Sequence, residues 1–436
     1  MEKLNKAVFR ISFLSFFIFA FVSIVQSKKC TAETKTLSDT ASSSIKGAYG
    51  DGIHDDTKAI QAALDSVSAK GGGIILFAHG KYLTGPLTIK ANDTLEVDGS
   101  GAIIGTANMK SYYPPGTDTS ADIGSVKSFL PLFSADHADN IAIIGKGYID
   151  GQGQEWWAAK ENGILSKRPK MFEPHYCNNI LLKNITLKNS PMYFFIPMWC
   201  DTVIVDSVSI LAPPDSYNTD GIDPATCHYV LITNCYIDNG DDNIAVKARD
   251  RHEVCSRIYV SHCTFMHGHG VSIGSDTRGG VDSMYVDSCT FNGTAHGIRI
   301  KSSSRKRLSG GNVRNIYYSN LTMKNVKFPI YFCEYYPKVP PESDPPQPVT
   351  SGTPYFHDIT VTNLKAVDCP NAGLIIGVPE MPMKNIKLIN VSISAGKNLK
   401  LRNATVDTSN TRISPGIDYQ VGGIITGIKK NGGLNR

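Results

Sequence analysis

Asn179-Ile180-Leu181-Leu182-Lys183-Asn184-Ile185 is the stretch on which the fold turns, because the same pattern returns along the chain. A polar residue leads into alternating apolar positions, followed by Asn, Asp or Ser and then another apolar residue. Thr202-Val203-Ile204-Val205-Asp206-Ser207-Val208 and Tyr229-Val230-Leu231-Ile232-Thr233-Asn234-Cys235 repeat it, and further copies begin at Arg257, Ser283, Asn315 and Asn385. The anchors Ile180, Val203, Val230, Ile258, Met284 and Ile316 are separated by 23, 27, 28, 26 and 32 residues. Ile359 and Ile386 extend the series after one long insertion. A period of this size marks stacked supersecondary units. Within each unit the apolar residues alternate with period two and show no helical periodicity, so each unit is a coil of strands. The sequence therefore predicts an all-β fold, a single-domain parallel β-helix in which each coil buries its inward Val, Ile, Leu and Cys against its neighbours. A leucine-rich horseshoe has a similar period but needs a Leu-x-x-Leu-x-Leu frame that is absent. A sandwich of hairpins is the remaining alternative.

Outside the repeats, Asp55-Asp56-Thr57-Lys58-Ala59-Ile60-Gln61-Ala62-Ala63-Leu64 reads as one short amphipathic helix with Asp at its start. It suits the role of a cap over an open coil end, which otherwise exposes unpaired backbone. The Pro- and Ser-rich stretch 338–354 predicts an irregular loop leaving the solenoid rather than a domain boundary. Residues 1–27 combine a basic start with an apolar run from Ile11 to about Gln26, the layout of a secretory signal peptide, with an N-terminal anchor as the alternative. Residues 28–436 then form the β-helix domain. Six Asn-x-Ser/Thr sequons, at Asn92, Asn184, Asn292, Asn320, Asn390 and Asn403, fit a secreted glycoprotein. Ten cysteines in such a chain raise the expectation of several disulfides, and no Cys-x-x-Cys zinc spacing occurs. If Cys30 survives processing, it links to the body or stays free.

The composition, 41% hydrophobic and 19% charged, is that of a globular chain with a large core. A net charge of +5 admits nucleic acid, membrane or acidic glycan as partners. No nucleic-acid-binding signature and no basic amphipathic helix is present, which leaves acidic polysaccharide. A monomer is expected, because one solenoid face must stay open to a polymer.

Four polar constellations fall about one repeat apart: Asn218-Thr219-Asp220, Gly240-Asp241-Asp242, Gly268-His269-Gly270 and Arg299-Ile300-Lys301. Asp241 and Asp242 lie 11 and 12 residues past Val230, and His269 lies 11 past Ile258, so they share a phase on adjacent coils. Singly, each motif is a common turn or a solvated edge, and Asp241-Asp242 alone would suit a turn or a calcium ligand. Together they bring three carboxylates, the acid and base of glycoside hydrolysis, beside two cations able to hold a carboxylated sugar. Carboxylates from different coils suit the wide gap of an inverting enzyme. Crowding three aspartates raises one pKa and keeps that group protonated as the acid, while cationic neighbours hold the others ionised.

With Asp150-Gly151-Gln152-Gly153 and Trp156-Trp157 upstream, these motifs resemble those of the polygalacturonases of glycoside hydrolase family 28, from about Gly47 to about Ile393. The resemblance implies a right-handed parallel β-helix that cleaves α-1,4-galacturonosyl linkages with inversion, without cofactor or metal. Carried over, Asp241 is the general acid, Asp220 and Asp242 activate water, and His269 tunes the acid. Asn218, Arg299 and Lys301 bind substrate, as does a tyrosine corresponding to Tyr335, from which Tyr336 is not separable by alignment. Many members carry a cysteine after the aspartate pair and another before Gly-His-Gly, where this chain has Asn243 and Phe265, so that bridge is expected to be absent. The Asp-Asp-Asn-Ile-Ala-Val-Lys run and the Pro-rich insertion look like the bacterial-type branch, where exo-acting enzymes occur, and both endo and exo action stay open. The competing functions are a calcium-dependent pectate lyase, a non-catalytic pectin-binding wall protein, and a rhamnogalacturonan or xylogalacturonan hydrolase.

Overall fold

A computed structural model describes residues 43–303 and 310–427. Residues 1–27 and Cys30, and Lys429-Lys430 at the tail, lie outside the described residues. Strand after strand stacks in parallel, in ladders of 24, three and seven strands. The predicted anchors are register partners on consecutive coils, Ile180 with Val203, Val203 with Val230, Val230 with Ile258, Ile258 with Met284, Met284 with Ile316, Ile316 with Ile359 and Ile359 with Ile386. Parallel pairing between successive coils removes the hairpin-sandwich alternative. The ladder also reaches back through Ile141 and on to Val406, where the sequence pattern is weaker.

The polar residues that punctuate the repeat are its corners. Asn184, Ser207, Asn234, His262, Ser288, Asn320, Asn363 and Asn390 all take φ between 53° and 59°, the left-handed conformation that turns one strand into the next. Short polar side chains tolerate that conformation and bond locally, which is why Asn dominates. Neighbouring corners also bond to one another, as Asn363 Nδ2 to Asn320 Oδ1 and Asn390 Nδ2 to Asn363 Oδ1, at 2.9 and 2.8 Å. Asn403, one of the six sequon asparagines, is instead buried, its amide donating to the Gly377 carbonyl at 3.1 Å.

The nine described cysteines are all buried free thiols, so the expectation of several disulfides is not met. Cys177, Cys200, Cys227 and Cys255 recur on successive coils, the first three just ahead of a strand and Cys255 as the first residue of one. There they act as small hydrophobes whose sulfurs contact backbone, as Cys200 Sγ does with the Met198 carbonyl at 3.3 Å.

The predicted helix spans Thr57–Ser68, somewhat longer than its sequence signal, and buries Ile60, Leu64 and Val67 over the first coils. Asp56 is buried beside it and accepts from the Tyr49 and Gly50 amides at 2.7 and 3.1 Å, tying the preceding loop to the helix start. A second helix, Gln154–Glu161, was not foreseen, and it inserts Trp156 into the core. Strands stop at Tyr336 and resume at Tyr355, so the Pro-rich stretch is a loop. It is pinned by Arg402, which donates to the Pro340 carbonyl at 2.9 Å, and by the Tyr335 hydroxyl, 2.9 Å from Asp344. No helix among the described residues is long and apolar enough to cross a membrane.

Candidate active site

One face of the solenoid is the seven-stranded ladder, in which Ile244–Ala248, Val271–Thr277, His296–Ser303 and Phe328–Tyr336 are neighbours. Upstream the same face continues through single bridges, Phe195 to Ile222 and Ile222 to Ile244. Ile222, Ile244, Val271, Ile298 and Ile330 point inward and are fully buried. Alternation then directs the next residue of each coil outward, giving the row Asp223, Ala245, Ser272, Arg299, Tyr331, with Lys247 and Lys301 two positions further on. Asp220, Asp241, Asp242 and His269 occupy the turns that lead into these strands.

Those turns are held by a buried brace of two amides. Asn239 donates to the carbonyls of Thr219 and Asp242 at 2.6 and 3.0 Å. Asn243 donates to Asn239 Oδ1 at 2.6 Å and the His267 carbonyl at 2.8 Å, and accepts from the Gly270 amide at 2.7 Å. Asn243 thus links the aspartate pair to the Gly-His-Gly turn, the two segments that the presumed family bridge would join. Phe265 is buried, packed on Phe291 at 4.9 Å. Gly270 has φ +70°, and a Cβ there would lie 2.1 Å from the His296 carbonyl oxygen, so only glycine lets the turn approach the next coil.

The three predicted aspartates converge but differ in environment. Asp242 receives Arg299 at 2.9 Å and Ser272 Oγ at 2.8 Å on one oxygen, and Lys301 at 2.6 Å on the other. Burial opposes its ionisation, yet Lys301 and Arg299 outweigh burial and hold this carboxyl well below the usual carboxylate range. Asp241 is the most open, its side chain 24% exposed against 6% for Asp220 and 3% for Asp242. Its carboxyl faces His269 Nδ1 at 3.0 Å, and Asn218 Nδ2 lies 3.4 Å away. Asp220 is shifted the opposite way from Asp242. Burial and then the negative Asp223 push its pKa well up, and Lys247 only partly counters them. Burial and then crowding thus raise the carboxyl of Asp220, to which the resemblance assigns a share in activating water.

Asp223 and Lys247 were missed as site residues. Lys247 bridges Asp223 at 2.5 Å and Asp220 at 3.3 Å. Burial raises the Asp223 pKa also, against the pull of Lys247. The signal was present, since Asp223 lies three residues past Asp220 and Lys247 ends the run after the aspartate pair. Arg168 was also missed; its guanidinium holds Asn218 Oδ1 at 2.8 Å from a loop fifty residues upstream. No local motif announces that contact.

Of the two tyrosines, Tyr336 stands against the cations, with Arg299 and Lys301 5.3 and 5.2 Å from its ring centre. Tyr335 is buried with Cys333, Ile376 and Val378 on the side of the Pro-rich loop. The register shift between Lys301 and Ser303 against the last strand turns Tyr336 toward the site. Asp241, Asp242 and His269 bring ligand atoms within 4.8 Å of one another, a spacing that could hold a metal ion. Both Asp242 oxygens already face cations, so a divalent ion there would meet Arg299 and Lys301 as repelling neighbours.

The profile of glycosyl hydrolases family 28 matches residues 114–409. An endo-polygalacturonase of Pectobacterium parmentieri is 31% identical over 390 residues, 86% of this chain and 90% of that one. An exopolygalacturonase of Zea mays is 30% identical over 370 residues, 81% of this chain and 83% of that one. Among solved structures, the polygalacturonase from Erwinia carotovora ssp. carotovora superposes with a TM-score of 0.71 at 27% identity, covering 85% of this chain and 98% of that one. With its parallel β-helix and these matches, the chain belongs to glycosyl hydrolases family 28.

Proposed function

We propose that this glycosidase degrades pectin by hydrolysing the α-1,4-galacturonosyl linkages of galacturonan with inversion, acting outside the cell on wall polysaccharide. The observation that carries the reading is the meeting of three carboxyls of graded exposure with two cations on one open face. Asp241, the most exposed, is placed to protonate the departing glycosidic oxygen, with His269 orienting its carboxyl. Asp220 and Asp242 share the water. Asp242, held ionised by Arg299 and Lys301, is a weak base and a good acceptor that orients it. Asp220, whose ionised form is the more basic, takes its proton. The galacturonate carboxylate docks on Arg299 and Lys301 beside Tyr336, with Asn218 lining the same pocket.

The test is incubation of the protein with polygalacturonic acid, with and without a chelator, with products resolved by size. Saturated products released equally with chelator are expected. Monomer from the outset means exo action, and early mid-length oligomers mean endo action. Unsaturated ends that vanish with chelator would replace the hydrolase with a lyase, and binding without turnover would leave a pectin-binding protein.

A further inference from the structure

The face that carries the site continues past it as a groove. Across consecutive coils, the position of His269 is followed in register by His296, Phe328, Asn371 and Lys397, and that of Ser272 by Arg299, Tyr331, Leu374 and Lys400. Beyond Tyr331 the two rows bound a cavity of about 580 Å³, lined by Phe328, Asn371, Leu374, Lys397, Lys400 and Asp418. Its floor is Gly373, at φ +126°, where a Cβ would lie 2.0 Å from the Ile330 carbonyl oxygen, so no side chain can fill it.

The rows change character along the groove. At the catalytic end His296 stacks on Phe328, ring centres 5.6 Å apart, and meets Tyr331 edge-on at 4.8 Å. Burial, then Arg299 and His269, drive His296 down to about 2, so this end is a neutral aromatic wall. At the far end Lys397 and Lys400 are exposed, and neither takes part in an ion pair among the described residues. Asp418, in register with Lys400, is the one acidic group lining the groove among the described residues, and Lys327 adds a third cation near the Phe328 ring at 5.9 Å. With coils about 4.8 Å apart, Lys400 lies three coils, roughly 14 Å, from Arg299.

We propose that this groove is an accessory subsite for an acidic sugar several units along the polymer from the cleaved bond. Lys397 and Lys400 pair with its carboxylate, and Phe328 and Leu374 support its apolar face. The inference rests on the galacturonan reading for its substrate and adds to it a reason to favour long chains.

The double variant Lys397→Gln/Lys400→Gln removes both charges from exposed positions. The control Lys365→Gln/Lys384→Gln removes two exposed charges from a different face of the solenoid. For the groove variant, kcat/KM on long oligogalacturonides should fall roughly ten-fold, the combined effect of two exposed ion pairs. The loss should shrink at high salt and as the substrate is shortened, while the control keeps the wild-type length dependence. Equal length dependence in all three proteins would overturn the proposal. Calorimetric binding of polygalacturonate to the same proteins separates the two readings. A wild type that binds but does not cleave would sink the hydrolase while leaving the groove to be judged by whether the double variant binds more weakly. Equal binding would sink the groove.

Discussion

Replacing Lys247 with Met puts the hidden half of the site to the test. Its ammonium lies 3.3 Å from Asp220 and 2.5 Å from Asp223, and all three side chains are buried. At an effective dielectric of about 20 the gross attractions are about 5 and 7 kcal/mol, much of it offset by desolvation. Removing one partner of a buried pair typically costs about 3–5 kcal/mol, because it leaves uncompensated charge behind. With an unfolding entropy of about 0.8 kcal/mol/K for the unit Ser43–Arg436, from roughly 2.1 cal/mol/K per residue, that is a fall in Tm of about 4–6 °C at pH 7. The sign with pH follows from the two carboxyls. Both have pKa values raised by burial, so their protonated forms favour the fold. That contribution is fully present below about pH 3.9 and is lost as pH rises through the raised values. Without Lys247 both climb further, so the variant is penalised most near neutrality and least in acid. Scanning fluorimetry at pH 4 and pH 7 should show less than half the neutral penalty at pH 4. The acid limb of the activity profile should also move to higher pH, since Asp220 must ionise to accept a proton. Equal destabilisation at both values, or an unmoved acid limb, would refute the coupling of Lys247 to Asp220.

Asp241→Asn should fold normally and lose about 10²–10⁴-fold in kcat, the usual contribution of a positioned general acid; a variant that keeps wild-type kcat would return the acid role to another carboxyl. Tyr336→Ala should raise KM for galacturonan, whereas Tyr335→Phe should leave KM unchanged and cost about 1 kcal/mol of stability through the lost bond to Asp344, as read by denaturant unfolding. Asn243→Ala should lower stability by about 2–4 kcal/mol, because several buried partners lose their bonds at once, and should lower kcat with it. Unfolding midpoints and turnover measured on one preparation check both effects.

The repeat, the coil register and the grouping of Asp220, Asp241, Asp242, His269, Arg299 and Lys301 were legible in the sequence. A period-two pattern between left-handed Asn and Ser corners fixes which residues face inward, and stacked coils turn equal phase into spatial proximity. Individual environments were not legible. That Asp242 is held ionised while the Asp220 carboxyl is pushed upward depends on burial and on cations contributed by other coils. The partnership of Lys247 with Asp223, the reach of Arg168 to Asn218, and the choice of Tyr336 over Tyr335 each depend on how loops and a register shift pack around the strands. Cysteine count suggested bridges because it carries no information on direction; the coils point the described thiols into the core. The sequence by itself determined the solenoid and the inventory of its chemistry, because local periodicity sets strand and corner alike. Only the tertiary structure decided which carboxyl is ionised and how far the binding face extends, because charge, burial and reach depend on contacts between coils.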